Sequence, residues 1–556
     1  MKIKTLLSSF VLAAITMVSF SASAGNINAT AARNAASNFI KQQATANPGT
    51  FKATAATDLK LSHAEPSSAV EGAVDFYVFN IKGGGFVIIA GEDRATQVIG
   101  YSDKGHLDMN NVPYSLKGLL AGYKQEIEFL QTYEGDDLEV VKPTINATAG
   151  VEPLIKTTWG QEMPYYLQCP LDGGEYCVVG CVATAMAQVM YYWKFPTECS
   201  GISEYEMGGG WWWDGTIVPA LPATTFDYNK MLLSYCHWDW DNSELIQDTY
   251  TDEQAQEVAK LSRYCGQAVE MDYSPDGSGA YTWNQLAAMK DFGYSQSAQS
   301  VSKGSYSTTQ WESKMKTELD AGRPILYSAS DPREGGHAFI CDGYNSSNYF
   351  HFNLGWYGTC DGWYVSTALS MVHRSGEQLN FTSSHVMLTG VEPPTYCIIN
   401  VENVDAPNDL LVLGQSLNTE AQGVNMLTSY STVKVRFSLI NQNGNSVCSS
   451  SYVELDKNTF VQGSNVSSSI TLPTTLAEGT YDLGMYYSVS GDNRPKAIDC
   501  NAGKLTVVGR LAKYNADFDI NDVTYLIDVI LGNTGSNEMG LDINDVTHTI
   551  DHILGK

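Results

Sequence analysis

A cysteine at the start of an amphipathic helix is the feature that most constrains how this chain folds. In residues 180–190, the apolar residues that follow Cys181 fall at three- and four-residue spacings, which predicts a helix with one buried face. Cys181 then lies in the first helical turn, where unpaired amide N–H groups and the helix dipole favour a thiolate. The alternative is one more buried or bridged cysteine, because three others are near in sequence: Cys169, Cys177 and Cys199.

A histidine motif lies 156 residues further on, where two glycines precede His337. The residues after His337 predict a strand, residues 345–348 a turn, and residues 349–353 the returning strand. Both His337 and Asn353 then lie toward the open end of the hairpin. We therefore predict that the Asn353 amide orients the imidazole and that Trp356 shields it from water. The alternative is a histidine with a purely structural role.

A glutamine upstream of the cysteine completes the pattern. Gln161 precedes Cys181 by 20 residues, in the segment Gln-Glu-Met-Pro-Tyr. Acyl transfer needs hydrogen-bond donors aimed at the developing oxyanion, and a glutamine side chain together with the Cys181 backbone N–H supplies two. Because a helix N-terminus and an imidazole are also common sources of an activated thiol, the three motifs together predict a cysteine peptidase.

These motifs resemble the streptopain family of papain-fold cysteine peptidases. The similarity rests on Gly-Cys-Val-Ala-Thr-Ala at 180–185, Gly-Gly-His-Ala-Phe at 335–339, Asn-x-Gly-Trp at 353–356 and Gln-x-x-Pro-Tyr at 161–165. It covers about residues 151–375. In looser form, residues 25–145 resemble the inhibitory propeptide of the family.

The resemblance implies a role for each candidate residue. Cys181 is the nucleophile and His337 the general base and acid, with Gln161 in the oxyanion hole. Asn353 orients the histidine and Trp356 shields the site, whereas Leu354 stands where the family has Trp. Ser278, in a glycine-rich loop at 271–280, approaches the substrate. The family also implies a preference for an apolar residue two positions before the scissile bond, and neither a metal ion nor a cofactor.

The chain is predicted to be multidomain, because 556 residues are too many for one core. Its expected fold classes are an α+β propeptide, an α+β papain-like peptidase domain, an Ig-like β-sandwich and a small all-α tail. The tail holds two copies of an Asp-Ile-Asn-Asp-Val-Thr motif offset by 23 residues, and it resembles a degenerate dockerin repeat without a complete calcium loop. The predicted boundaries are 1–24 signal peptide, 25–150 propeptide with linker, 151–394 peptidase domain, 395–509 β-sandwich and 510–556 dockerin-like repeat.

Composition and the amino end indicate the compartment and the partners. Two lysines, an apolar run and Ala-Ser-Ala at 22–24 predict a secretory signal, and hence a protein that is extracellular or on the cell surface. A net charge of −28 makes nucleic acid an improbable partner. No run after the signal is long and apolar enough to predict a membrane span. Eleven cysteines in an exported chain suggest disulfides, such as a staple between Cys448 and Cys500.

The function predicted from sequence is a secreted cysteine endopeptidase made as a zymogen. Its partners are protein or peptide substrates, its own propeptide as inhibitor, and a cohesin-like or cell-surface partner for the tail. Two other functions stay open: an acyltransferase that uses the same site with an amine as acceptor, and an inactive surface adhesion or scaffold protein. For residues 25–150, a binding module is the alternative to a propeptide.

Overall fold

The computed structural model describes residues 25–46, 51, 53–135, 138–140, 150–208, 215–239, 244–331, 335–369, 371–373, 384–406, 410–442, 444–490, 492–498, 500 and 504–508. The predicted signal peptide, most of the predicted linker and the dockerin-like tail lie outside these residues. The chain divides into two compact units. One comprises Met1–Tyr101, Gly122–Pro143 and Thr367–Phe381, and the other comprises Ser102–Ala121, Thr144–Ser366 and Thr382–Lys556.

Helices and strands alternate through the first two thirds of the chain, and strands alone follow. The helices are α1 (Ala29–Ala46), α2 (Tyr114–Thr132), α3 (Cys181–Trp193), α4 (Asp252–Ala268), α5 (Trp283–Asp291) and α6 (Thr308–Asp320). Single 3-10 turns occur at Ala53–Ala56, Tyr228–Lys230 and Lys303–Ser305.

The strands before the β-rich segment are β1 (Leu59–Pro66), β2 (Val74–Ile81), β3 (Phe86–Ala90), β4 (Val98–Ser102), β5 (Leu138–Val140), β6 (Leu171–Asp172), β7 (Glu175–Tyr176), β8 (Glu198–Cys199), β9 (Tyr205–Met207), β10 (Thr216–Val218), β11 (Thr224–Thr225), β12 (Cys236–Asp239), β13 (Glu244–Gln247), β14 (Gln299–Ser302), β15 (Ile325–Asp331), β16 (Gly335–Tyr344), β17 (Phe350–Asn353), β18 (Gly362–Tyr364), β19 (Met371–His373) and β20 (Ser384–Thr389). Those of the β-rich segment are β21 (Cys397–Asn400), β22 (Asn403–Asp405), β23 (Leu410–Val412), β24 (Ser416–Thr428), β25 (Thr432–Ile440), β26 (Ser446–Ser449), β27 (Val453–Asp456), β28 (Ser464–Thr471), β29 (Gly479–Val489), β30 (Asp492–Ile498) and β31 (Lys504–Val508).

The first unit is a helix and a meander of strands. Strands β1 to β4 follow one another in the sheet, and β2 pairs with β3 in antiparallel register, as the alternation around the glycine turn predicts. Helix α1 buries Ala32, Ala36 and Ile40, which share one helical face. The apolar spacing of the sequence predicts helices at 31–43 and 114–133 and strands at 75–80 and 86–90, and the structure has each of them. Strand β5 pairs with β19, from the late segment that belongs to this unit.

The peptidase part of the second unit is a sheet with a buried helix. Its strands run in the order β18, β17, β16, β15, β20 and β14. Every residue of α3 except Cys181 is buried, so this helix lies inside the core rather than on the surface. Such burial explains why eight of its thirteen residues are Val, Ala, Met or Trp. The helix therefore holds its first residue in a fixed place.

The hairpin of β16 and β17 carries His337 and Asn353, and its register decides what these residues face. Residues 345–348 turn between the strands, as predicted, and Ile340 opposes Asn353. A shift between Cys341 and Gly343 interrupts the ladder. His337 pairs instead with Ala329 of β15. His337 is thus three residues nearer the open end of the hairpin than Ile340, the residue that Asn353 opposes.

Residues 397–508 form two sheets around one apolar core. One sheet holds β21, β22, β24 and β28, and the other is built on β23, β31, β29, β25 and β26, with β27 and β30 at its margins. The core draws residues from both sheets, among them Val424, Phe437 and Leu483. Short strand-like runs separated by turn residues predict five strands in this segment, near 396–401, 432–441, 450–455, 467–472 and 481–489, and each is present with shifted ends.

The predicted disulfide staple in this segment is absent. Neither Cys448 nor Cys500 is bridged, and all eleven cysteines of the chain carry thiols. The Cys448 thiol instead donates a hydrogen bond to the carbonyl of Thr471, 3.2 Å away. Packing of alternating apolar residues, rather than a covalent bridge, therefore holds this segment together.

Candidate active site

Gly180 fixes the approach of the chain to the nucleophile helix. Its φ of 85° lies in the left-handed region that glycine adopts without strain. A Cβ at this position would lie 2.7 Å from the sulfur of Met271 and 3.0 Å from the carbonyl oxygen of Ser278. No side chain fits there. The Gly-Cys pair is therefore required by the backbone turn that places Cys181 at the first position of α3.

The thiol of Cys181 lies against the strand that carries the histidine. The backbone N–H of Ala338, the residue after His337, donates to Cys181 Sγ at 3.5 Å. The side chain of His337 is half-buried. The helix and the strand thus meet at Cys181 and at Ala338, the residue after His337.

Burial raises the pKa of the Cys181 thiol above its ordinary value of 9.0. Three backbone N–H groups act in the opposite direction because they favour the thiolate: those of Ala338, Val182 and Cys181 itself. The burial effect outweighs them. The same N–H groups are donors already in place for the anion.

Gln161 is held beside the nucleophile through its backbone. Its carbonyl accepts a hydrogen bond of 2.9 Å from the N–H of Val179, two residues before Cys181. The next N–H, that of Glu162, donates to the hydroxyl of Tyr357 at 3.0 Å. A Cβ on Gly160 would lie 2.2 Å from the Tyr357 ring, so this glycine allows the ring to support the segment.

Asn353 forms hydrogen bonds with Gln188, Gly355 and Thr157, and the orientation of the His337 imidazole by its amide stays a prediction. Its Oδ1 accepts hydrogen bonds from Gln188 Nε2 at 2.9 Å and from the N–H of Gly355 at 3.1 Å. Its Nδ2 donates to the carbonyl of Thr157 at 2.8 Å. In the register of the hairpin, Asn353 lies opposite Ile340. The amide fixes the turn at 353–356 to the core.

Trp356 and Leu354 occupy the turn that Asn353 anchors. Trp356 is half-buried and packs on the same apolar core as Cys181, with its ring 6.4 Å from that of Tyr357. Leu354 is buried, and its N–H donates to Asp361 Oδ1 at 2.8 Å. The side chain at 354 therefore fills the core, where an apolar group is sufficient.

Ser278 turns its hydroxyl into its own loop. The hydroxyl accepts a hydrogen bond from the N–H of Ser274 at 3.0 Å and donates to the carbonyl of that residue at 3.2 Å. The loop itself is attached to the nucleophile segment, because Val178 N–H donates to the Ser274 carbonyl at 3.2 Å. The contribution of Ser278 is thus to shape the loop beside Cys181.

Gln188 is a residue of the site that the sequence analysis missed. It is buried on α3, two turns after Cys181, and its side chain bonds in three directions. Besides Asn353, it contacts Thr157, whose hydroxyl donates to Oε1 at 2.8 Å, and Trp159, whose N–H donates to the same oxygen at 3.3 Å. The available signal was a single amide in a helix of otherwise apolar interior residues.

A buried charged cluster supports the far side of the same turn. His351 Nδ1 lies 2.7 Å from Asp342 Oδ1, and Asp342 Oδ2 accepts from the N–H of Ile155 at 2.9 Å. Burial raises the pKa of Asp361 to about 7, and the N–H of Leu354 opposes that shift. Sequence patterns gave no sign of this cluster because its members come from two strands and from loops that lie far apart in sequence.

Part of the predicted propeptide contacts these elements within the second unit. The hydroxyl of Ser115, in the first turn of α2, donates to the carbonyl of Leu354 at 3.3 Å. One turn further on, a Cβ added to Gly118 would lie 3.8 Å from Cδ2 of His337. The start of α2 thus lies directly on the strand and the turn that carry His337 and Asn353.

Neither a metal site nor a membrane-spanning helix is found in the described part of the chain. No group of three or more His, Cys, Asp and Glu side chains is placed to hold an ion there. Within the same residues, no helix combines the length and the apolar character that crossing a bilayer requires.

Comparison with known families gives two matches. Residues 159–364 match the Peptidase C10 family, and residues 24–127 match the Spi protease inhibitor family. The first match contains Cys181, His337 and Asn353, and the second contains the start of α2.

The chain is also similar to curated relatives and to a solved structure. Streptopain of Streptococcus pyogenes serotype M1 is 29% identical over 385 residues, which is 65% of this chain and 91% of that protein. The thiol protease/hemagglutinin PrtT of Porphyromonas gingivalis is 27% identical over 532 residues, 91% of this chain and 58% of its own length. Active interpain A cysteine protease of Prevotella intermedia is 32% identical, with a TM-score of 0.37, and covers 46% of this chain and 99% of its own.

Proposed function

We propose that this chain, a cysteine protease zymogen of the Peptidase C10 family, attacks peptide bonds with Cys181 as nucleophile and His337 as general base and acid. The observation that carries the proposal is the contact of Cys181 Sγ with the N–H of Ala338 at the start of α3. It brings the thiol to the residue adjacent to His337, in a turn whose amides favour an anion.

The proposed reaction proceeds through a thioester. His337 takes the proton of the Cys181 thiol, and the sulfur attacks the carbonyl carbon of the substrate. The N–H of Cys181 and the side-chain amide of Gln161 donate to the oxyanion. The C–N bond then breaks, and the leaving amine takes the proton from His337. Water, deprotonated by the same imidazole, hydrolyses the thioester and regenerates the thiol.

Latency in this proposal comes from the amino-terminal segment. The contacts of Ser115 with Leu354 and of Gly118 beside His337 place α2 where a substrate chain would approach. The raised pKa of Cys181 agrees with an inactive state, because a protonated thiol is a poor nucleophile. We propose that cleavage between residues 143 and 152 releases this segment and allows His337 to pair with the sulfur.

The remaining parts of the proposal concern location. Residues 1–24 direct export, which makes the enzyme extracellular or bound at the cell surface. Residues 395–509 act as an Ig-like β-sandwich spacer, supported by two sheets that share one core. The tail at 510–556 binds a cohesin-like or surface partner. The internal repeat is the observation that supports this part of the proposal.

A thiol-directed epoxide tests the assignment of the nucleophile. After cleavage of the linker, we expect one label on Cys181 and loss of peptidase activity. Cys181→Ala should lower kcat/KM by at least about a thousandfold, as for other nucleophile deletions. Cys199→Ala is the matched control, because Cys199 is also half-buried yet has no part in the proposed reaction. Incorporation of an amine without peptide hydrolysis would favour the acyltransferase. Absence of labelling by the epoxide would favour the inactive scaffold protein.

A further inference from the structure

Two aromatic side chains stand out on the surface of the second unit. Tyr281 and Trp283 are each 65% exposed, and their rings stack with centroids 4.1 Å apart and planes 11° from parallel. Leaving two large rings in water is costly, and exposed aromatic clusters commonly mark contact surfaces. The stacking buries one face of each ring and leaves the outer faces available. We call this pair the aromatic platform.

The aromatic platform lies between two anchor points on the nucleophile segment. Before it, the carbonyl oxygen of Ser278 lies 3.0 Å from the place that a Cβ on Gly180 would occupy. After it, Gln285 Nε2 donates to the carbonyl of Val182 at 3.2 Å. Gly180 and Val182 flank Cys181 on either side.

Chain length then limits the distance of the aromatic platform from the nucleophile. Tyr281 follows Ser278 by three residues, and Trp283 precedes Gln285 by two. Since an extended residue spans at most about 3.6 Å, each ring is attached within roughly 11 Å of an anchor beside Cys181. A bound peptide in extended form covers that distance in about two to four residues.

The backbone beneath the rings is held on both sides. Asp272 and Gly279 exchange two hydrogen bonds, of 2.7 and 3.0 Å, that close the preceding loop. Trp283 begins helix α5, and its neighbour Asn284 donates to the carbonyl of Val269 at 3.0 Å. A supported scaffold of this kind presents the rings at little further cost in conformational entropy on binding.

We infer that Tyr281 and Trp283 form a subsite for the polypeptide substrate, which accepts an aromatic or proline side chain about two to four residues from the scissile bond. Continuity with the segment that carries Cys181 favours the substrate as occupant. A second copy of the chain is disfavoured, because each copy carries a net charge of −28. This inference rests on the proposed function, since it assigns a specificity to the same site.

Matched peptides of two lengths test the inference on the linker-cleaved enzyme. A short fluorogenic peptide carries one residue before the scissile bond, and longer ones extend it by four residues with Trp, Pro or Gly at successive positions. For a longer peptide with Trp or Pro at one of these positions, we expect Tyr281→Ala with Trp283→Ala to lower kcat/KM about five- to tenfold, the range of one or two aromatic contacts. The short peptide should change less than twofold.

Controls separate this inference from folding and from the proposed function. Tyr281→Phe with Trp283→Phe retains the rings and should behave as wild type. Ile217→Ala removes another exposed apolar side chain, 56% exposed, and should have no effect. Equal losses on short and long peptides, or no loss on either, would overturn the inference, as would a platform that instead mediates self-association in sedimentation. Cleavage of the short peptide by wild type reports on the proposed function separately.

Discussion

At the scale of single residues, Gln188 connects the parts of the candidate site that the sequence separates. Its amide joins helix α3, which begins at Cys181, to Asn353 and to the segment that runs from Thr157 toward Gln161. Each of these hydrogen bonds is buried, so the loss of one partner leaves the other polar group buried without a hydrogen bond. The glutamine thus acts on the reaction by positioning, not by touching the substrate.

Substitution of Gln188 should therefore affect catalysis and stability together. We expect Gln188→Leu to lower the unfolding free energy by about 1–3 kcal/mol, because Thr157, Trp159 and Asn353 each lose a partner. Gln188→Glu keeps the acceptor for Thr157 and Trp159 and removes only the donor to Asn353. Both variants should lower kcat more than they raise KM, and both should slow labelling of Cys181 by an epoxide.

The control for these variants is a half-buried glutamine whose side-chain bond is exposed to solvent. Gln168 Nε2 donates to the carbonyl of Gln256 at 3.0 Å on the surface, and Gln168→Leu should change neither rate nor stability measurably. A Gln188→Leu enzyme that unfolds more easily yet retains the wild-type kcat and labelling rate would reduce the role of Gln188 to packing.

At the scale of elements, the sequence predicted the hairpin of β16 and β17 but not its register. Glycines, apolar runs and an Asn-Ser-Ser-Asn turn were enough to place both strands. The shift between Cys341 and Gly343 depends on tertiary contact, because a Cβ on Gly343 would lie 2.8 Å from the carbonyl of Val151. No local pattern encodes that neighbour, which is why the sequence did not predict which residue of β16 lies opposite Asn353.

The difference between local patterns and tertiary contacts also explains which residues of the candidate site the sequence predicted. Cys181 and the strand of His337 carry local signals, a helix start and a glycine-flanked strand, so both could be read from the chain. The partners of Asn353 lie 165 and 196 residues away, at Gln188 and Thr157. Contacts between residues so far apart in the chain are fixed by tertiary packing, and no spacing pattern in the sequence predicts them.

The turn at 353–361 gives a prediction about pH. Asp361 has a pKa of about 7 in the folded chain against 3.8 ordinarily, so the folded state binds the proton more tightly. Its contribution to stability is therefore present at low pH and is lost as pH rises toward 7. We expect Asp361→Asn, which keeps the oxygen that accepts from Leu354, to show a smaller fall in Tm between pH 4.5 and 7.5 than wild type.

A surface aspartate provides the comparison for this measurement. Asp276 is exposed in the glycine-rich loop, and Asp276→Asn should leave the pH dependence of Tm as in wild type. An Asp361→Asn chain with the same pH dependence as wild type would show that this carboxyl is not protonated in the folded state.

At the scale of the whole molecule, one chain carries both a peptidase and its inhibitor. The match of residues 24–127 to the Spi protease inhibitor family and the position of α2 beside His337 are independent observations. Together with a thiol of raised pKa, they describe a protease that is folded but not yet active. Sequence composition suggested the order of these parts, whereas the contact of α2 with the peptidase strand required the structure.

Intact mass spectrometry of the purified full-length chain tests this account most directly. We predict that wild type converts with time to a product that begins between residues 143 and 152, and that Cys181→Ala stays intact alone but is cut at the same place when mature wild type is added. Conversion of Cys181→Ala alone at the wild-type rate would contradict the account, and so would a Cys181→Ala chain that mature wild type cannot cut.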